Sequence, residues 1–513
     1  MKRTLFVLFA MALAVCVNAG GKNGGKTINQ KSSLPVQANG YNISVRAAQL
    51  ANKTVFLGSY LNGKIFSVDT LRLNAEGKGL FSKKKKLAEG LYMLYVNEHS
   101  RYYEFLVGDE QNIGIALSDT TKGIVECFTA TGAEQTVEFV NFGRFMTEKR
   151  YRQNELFRQI KNAKDEKEKK QAEDAMSSLN KEVEAKQAEL AEKYKGKMLG
   201  VFINALIPPK FPKELIDGDS KDENFQMARY QYAKDHYFDN FDLSDPRVWR
   251  INMLNEKLNT FLNRQIIQLP DSIAPEGIKL IEKSMGDSTA FNLMTNYVIT
   301  YSVESKIMGM DKLFAGITER YFLTGKAFWA DSTLMTNIVN EYNKVRFNQI
   351  GMKGHNLPLV RLDGKKFNLY DLNKKFTLVY FYEPTCGHCQ MTTPKIHDVY
   401  TKYKDKGFEV VAIYLMTDKK EWTDFIEKDK LQDWTNAWDP DRESYYWTFY
   451  DTSTTPGVYL LDKDKKIIAK KIDAESLDRI LNYEINERKD NDKPRQAHAK
   501  VAEYEAPIDV QVQ

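Results

Sequence analysis

Only three residues separate the run Phe376-Thr377-Leu378-Val379-Tyr380-Phe381-Tyr382 from Cys386-Gly387-His388-Cys389. A nearly continuous apolar strand of this kind suits a central parallel position, where both faces of the sheet are covered. The chain must turn at its end, and the two thiols at i and i+3 fall on that turn. If a helix begins at Cys386, its sulfur faces free backbone N–H groups and the positive end of the helix dipole, which favour thiolate over thiol.

The surrounding text keeps alternating strand and helix. Residues 408–415 read as a second buried strand, 458–462 and 466–469 as a hairpin, and 474–483 as a closing helix. An α/β domain is therefore expected over 351–483. The segment 484–513 is charged and poor in apolar residues, and is expected to be a disordered tail.

A chain of 513 residues is too long for one core, so further domains precede this one. Short alternating runs at 42–45, 54–60, 67–71, 91–96 and 103–107, with Asn-Gly and Glu-Gly turns, predict a small antiparallel β-sandwich or barrel over 33–133. The Lys83-Lys84-Lys85-Lys86 run reads as a solvated loop. From 134 to 348 the period becomes helical. Met176, Leu179, Val183, Leu190 and Tyr194 share one face, interrupted only by Gln187, and helices are expected near 245–268, 273–283, 290–305 and 331–347. The aromatic group Tyr230, Tyr232, Tyr237, Phe238 and Phe241 reads as burial among helices, with a peptide groove as the sharper alternative.

Lys2, Arg3, an apolar run over 5–17 and Val17-Asn18-Ala19 form an export signal at 1–19, which points to a periplasmic or cell-envelope destination. Leu13-Ala14-Val15-Cys16 approximates a lipidation site, but bulky Val15 argues against an anchor at Cys16. No other apolar stretch is long enough to span a bilayer. Removal of the signal leaves Cys127, Cys386 and Cys389, so one cysteine goes unpaired; Cys127, in strand-like text, reads as a small buried hydrophobe. The formal charge of +5 is spread over residues of both signs and gives no footprint for nucleic acid.

Two prolines place the cysteine pair. Pro394 follows Cys389 by five residues, and Thr455-Pro456 stands just before the hairpin. Strand, C-x-x-C, helix proline and Thr-Pro together resemble the thioredoxin superfamily, more closely its exported TlpA/ResA-like branch, over about 357–483. The resemblance implies a thioredoxin fold with an added segment near 417–453 and a cis Pro456. It implies exchange of disulfides with proteins: Cys386 attacks, Cys389 resolves, His388 tunes the thiolate, and the backbone at Thr455 pairs with an extended substrate segment. Expected partners are protein disulfides or dithiols and an unidentified thiol redox partner, with no cofactor. The upstream domains would present substrates or form a homodimer. Gly-His also occurs in disulfide isomerases, whose potentials are less reducing than thioredoxin's by on the order of 90 mV, so the direction of electron flow stays open.

Departures from the family pattern concern the proton acceptor for Cys389. The usual buried acid before the first cysteine is Tyr380, the acid some exported reductases carry after the second is Thr392, and the tryptophan beside the motif is Thr385. Glu383 is the nearest carboxylate in sequence and reads as a loop residue. Metal binding through Cys386, Cys389 and His388 or His397 lacks a second ligand pair. A peroxiredoxin would need threonine at the position of Glu383. A non-catalytic envelope scaffold is the remaining alternative, supported by the missing acids and opposed by the intact dithiol.

Overall fold

In the computed structural model, residues 40–96, 102–119, 124–219 and 221–487 are described. The predicted export signal, Cys16, residues 33–39 of the expected β-domain and the tail beyond Glu487 lie outside them. The described chain falls into two compact units, one holding 40–266 with 283–293, the other 267–282 with 294–487.

Strands β1 (Tyr41–Arg46), β2 (Thr54–Leu61), β3 (Lys64–Arg72), β4 (Lys78–Lys83), β5 (Gly90–Tyr95), β6 (Tyr102–Val107), β7 (Asn112–Leu117) and β8 (Phe128–Gly132) open the first unit. They form two four-stranded sheets, ordered β4-β1-β7-β8 and β3-β2-β5-β6. Alternate residues point to one shared core, Ile43, Val45 and Ile115 from one sheet and Val55, Leu57 and Phe105 from the other. Asn62 and Gly63, both at positive φ, make the tight turn between β2 and β3.

The expected all-antiparallel arrangement needs correction. β1 pairs with β7 in parallel, because the chain leaves one sheet after β1 and crosses through the other before returning. Cys127 is buried as expected, but it ends a short helix, α1 (Ile124–Cys127), instead of lying on a strand.

Helices α2 (Glu134–Asn162) and α3 (Glu166–Lys193) follow, the second capped by Asp165 on the Glu168 N–H. Met176, Leu179, Leu190 and Tyr194 are buried as their spacing predicts, and Gln187 is buried among them while Val183 is only half covered. After α4 (Met198–Leu206), α5 (Glu223–Asp235) and α6 (Met253–Thr260), the helix expected over 245–268 proves to be three pieces. Pro246 begins a 3-10 turn capped by Asp245, Ile251 is extended, and a π-helical turn Phe261–Gln265 closes the run. Of the aromatic group, Phe238 and Phe241 are buried and serve packing, with the Lys257 ammonium 4.5 Å and 4.8 Å from the rings of Tyr237 and Phe241, while Tyr230, Tyr232 and Tyr237 are only half covered.

The chain continues through α7 (Pro270–Lys283), α8 (Ser288–Glu304), α9 (Asp311–Ile317) and α10 (Ser332–Val345). The second unit is built on strands β9 (Pro358–Arg361), β10 (Lys366–Asn368), β11 (Phe376–Tyr382), β12 (Phe408–Tyr414), β13 (Thr435–Trp438), β14 (Gly457–Leu461) and β15 (Ile467–Lys470). They form one seven-stranded sheet, ordered β10-β9-β13-β12-β11-β14-β15. All seven residues of β11 are buried. Leu378, Tyr380 and Tyr382 face helices α11 (Gly387–Tyr403), α12 (Lys419–Lys428) and α14 (Ala474–Asn482). Val379 and Phe381 face the other way, where Leu357, Leu369 and Tyr450 cover them along with the short helix α13 (Tyr446–Phe449). The second face is thus closed by loops and single turns, not by full helices as the strand's composition suggested.

Two boundaries also shift. The segment 417–453 is no mere addition, since β13 within it pairs with both β12 and β9. A π-helical turn runs to Glu487, past the predicted start of the tail at 484. The helical stretch 134–348 is not one domain. Its last part is joined to the seven-stranded sheet by Lys470 of β15, which is 5% exposed, pairs with Asp311 of α9 and donates to the Asn348 side chain at 2.9 Å.

That buried pair yields a stability prediction. Asp311→Ala leaves the Lys470 ammonium buried without a carboxylate and should cost about 3 kcal/mol, read as a lower urea midpoint. The double change Lys470→Met with Asp311→Leu should recover most of the loss; equal midpoints for Asp311→Ala and the parent protein would refute the coupling.

Candidate active site

Cys386 is the N-cap of α11, with the extended backbone of that position (φ −73°, ψ 118°). Its carbonyl accepts the first helical bond from the Gln390 N–H at 3.0 Å, and its own N–H donates to the Glu383 carbonyl at 3.1 Å. The Gln390 side chain returns to the Pro384 carbonyl at 2.8 Å, fixing the turn between strand and helix. Cys386 is partly exposed and Cys389, one turn on, is fully buried; both are thiols in this structure.

The Thr455-Pro456 peptide is cis. β14 pairs antiparallel with β11, Phe381 opposite Gly457, which brings the residues before Gly457 level with the turn after Tyr382. The Cys386 thiol donates to the Thr455 carbonyl at 3.4 Å. When the proton leaves, the charge is held by a hydrogen bond from the Thr455 side chain first. Partial burial opposes this, and bonds from the Cys389 backbone and thiol and from the His388 backbone add to it. The outcome is a Cys386 thiol that ionises below its ordinary range.

Cys389 behaves oppositely. Burial pushes its thiol up to about 12, eased by a hydrogen bond from the Glu383 backbone and reinforced by the neighbouring Cys386. Around it the site is apolar or hydroxylic. Tyr380, fully buried below it, shares a hydrogen bond with the Thr393 hydroxyl at 2.9 Å, and burial raises its own ionisation above the usual phenol range. Next to it, the Tyr382 hydroxyl accepts from Trp422 Nε1 at 3.0 Å.

The residues singled out from sequence therefore gather in one place, with adjustments. His388 is exposed, and its backbone, not its ring, is what reaches Cys386. Glu383 acts on Cys389 through its backbone and not through its carboxylate. Thr392 is only half buried, while its neighbour Thr393 turns inward to Tyr380. His397 lies away from the thiols, paired with Asp433 at 3.1 Å. Asp451 was missed. It is buried, accepts from the Ser453 N–H at 3.2 Å and hydroxyl at 2.6 Å, and pairs with Lys471 at 2.8 Å, holding the loop that leads into Thr455. The Asp-x-Ser spacing of Asp451-Thr452-Ser453 was the available signal, an Asx turn on the approach to the proline.

The same region of the chain is similar to known proteins. The model of the AhpC/TSA family matches residues 350–470. The thiol-disulfide oxidoreductase ResA of Bacillus thuringiensis subsp. konkukian is 30% identical over 122 residues, covering 23% of this chain and 68% of that protein. ResA of Bacillus cereus is 27% identical over 135 residues, covering 26% of this chain and 76% of that protein. A solved domain of a possible thiol-disulfide isomerase from Cytophaga hutchinsonii is 39% identical and covers 26% of this chain and 92% of its own, with a TM-score of 0.25. Through its C-terminal region, this chain belongs to the thioredoxin superfamily, among the ResA/TlpA-like thiol-disulfide oxidoreductases.

Proposed function

We propose that the protein exchanges disulfides with other proteins of the cell envelope through Cys386 and Cys389. The observation that carries this is the contrast between the two thiols: Cys386 is reachable and favours the thiolate, while Cys389 is buried and holds its proton. The Cys386 thiolate attacks one sulfur of a substrate disulfide, and the other leaves as a thiolate. Cys389 then loses its proton, attacks the Cys386 sulfur and releases the second substrate thiol. Two electrons pass to the substrate, and a Cys386–Cys389 disulfide remains for a thiol partner to reduce. Run backwards, the same steps oxidise a substrate dithiol.

Thr455 supports substrate alignment in this reading. Its carbonyl lies against Cys386, where the backbone of an extended segment has to pass. His388, on the first turn of α11, tunes the thiolate through its backbone N–H in this reading. The envelope location rests on the N-terminal signal pattern.

Replacing the nucleophile tests the reading directly. Cys386→Ser should lower the rate of disulfide exchange with a protein substrate by about a thousandfold or more, to background. Cys389→Ala should instead accumulate a mixed disulfide at Cys386, visible by mass. Activity retained in Cys386→Ser would overturn the assignment.

The thiolate itself predicts a pH profile. Alkylation by iodoacetamide follows the thiolate fraction, so its rate rises with pH through the Cys386 ionisation and should reach half-maximum on the acid side of 9.0, with Cys389 left unlabelled. Thr455→Val removes the supporting hydroxyl and should move that midpoint to higher pH. Preferential labelling of Cys389, or an unmoved midpoint in Thr455→Val, would contradict the electrostatic account.

A further inference from the structure

A pocket of about 390 Å³ opens beside the loop that leads to Thr455. One wall is the end of α10 and the residues just after it, contributing Lys344 and Arg346. The other runs from α13 into the loop, with Trp447, Asp451, Thr452 and Ser453. Both walls are held. Asn348, two residues beyond Arg346, donates to the Phe449 carbonyl at 3.1 Å and accepts from Lys470 at 2.9 Å. The Phe347 and Phe449 rings pack with centroids 5.4 Å apart. Asp451 fixes the opposite wall through Ser453 and Lys471.

The charges lining this pocket do not cancel. Lys344 pairs with Glu341 at 2.6 Å, and Asp451 pairs with Lys471. Arg346 makes no ion pair among the described residues. Its guanidinium lies 4.4 Å from the Phe347 ring, and its Nε is buried with no acceptor. Arg346 is only half-buried at the pocket wall, and a guanidinium there with no carboxylate partner suits a planar oxyanion, which it can bind through its terminal N–H groups.

We infer that this pocket receives an acidic side chain of the substrate polypeptide, with Arg346 as its anion-binding group and the 38%-exposed Trp447 as its apolar flank. The inference rests on the disulfide-exchange reading above. Position selects a peptide over a free anion. Ser453 and Thr452, which line the pocket, stand two and three residues before Thr455, so the pocket lies at most about 11 Å along the chain from the carbonyl against Cys386, a span that about three extended residues of a substrate cover. The helical segment before the redox sheet thereby supplies part of the substrate site.

The full chain carrying Cys389→Ala, which retains the attacking thiol, provides the test. Peptides with one cysteine activated as a mixed disulfide with 5-thio-2-nitrobenzoate, and with Glu, Gln or Lys two or three residues away, are compared. The Cys386 thiolate attacks the peptide sulfur, the bond to the nitrobenzoate breaks, and the coloured thiolate leaves with the electron pair, with no net oxidation. The Glu peptide should react about tenfold faster than the Lys peptide, and added salt should narrow the gap. Arg346→Glu should invert the order, and Arg346→Lys should keep part of it. Equal rates for the three peptides, or an order unchanged in Arg346→Glu, would overturn the inference while leaving disulfide exchange standing. Slowing of all peptides alike by added acetate, at constant ionic strength and without any preference among them, would assign Arg346 to small anions and likewise overturn it. Failure of every peptide to release the thiolate would instead overturn the disulfide-exchange reading and this one with it. The peptide comparison in the Arg346-containing protein needs no further variant, so a poorly folding Arg346→Glu leaves the test intact.

Discussion

Strand β11 is the element on which the second unit depends. β12 lies parallel along one edge and β14 antiparallel along the other, and all seven of its residues are buried. The parallel neighbour requires a crossover, and α11 is that crossover, so its N-terminus opens at the end of β11. The antiparallel neighbour begins at Gly457 opposite Phe381, so the residues just before it arrive at the same end. Cys386 and Thr455, 69 residues apart in sequence, meet there because of one register. A slip of one residue would turn Phe381 toward the helices and Tyr380 away from Cys389, exchanging every buried side chain for one of the wrong face.

The contrast between the thiols follows from the same placement. Cys386 sits where backbone N–H groups are unsatisfied by the helix, whereas Cys389 is one turn inward against Tyr380. A carboxylate in place of Tyr380 would offer a proton acceptor but would itself be desolvated. Tyrosine and Thr393 satisfy each other and offer no charge at neutral pH. Two influences hold the proton on Cys389, burial and the neighbouring Cys386. In the proposed mechanism the second is temporary: once the Cys386 sulfur is bonded to substrate, its negative charge is gone and only burial still opposes ionisation. The two ionisations belong to the pair, and the first chemical step makes the second easier.

Much of this was legible in the sequence. Strands β11, β12 and β14 show as apolar runs because both of their faces are covered, and the proline positions located the motif. Shorter elements left no such trace. β13, with four residues, and β10, with three, lack the length for a periodicity to register, so their joining of the sheet's far side went unread. Asp245 and Pro246 look like an ordinary helix start, and only the extended Ile251 shows why the helix breaks. His388 and Glu383 were weighed by their side chains, whereas the fold uses their backbones. That distinction depends on local dihedral angles, which side-chain chemistry does not encode.

The division of the helical region was illegible for a related reason. Helical periodicity reports that a face is buried without saying against what, and α9 and α10 read like the helices before them. What separates them is a long-range pair, Lys470 with Asp311, joined by Asn348. A buried ion pair is a weak source of net stability, since desolvation offsets much of the attraction. Its geometry is more demanding than that of an apolar contact: one ammonium satisfies Asp311 and the Asn348 side-chain Oδ1 together in a single docking of α9 and the 348 region on β15. The same Asn348 then bonds to Phe449, beside α13. A sliding apolar interface would bury comparable surface while leaving the end of α10 free to shift against the loop before Thr455. The polar triad removes that freedom, and with it fixes the spacing between Arg346 and the loop residues Thr452 and Ser453.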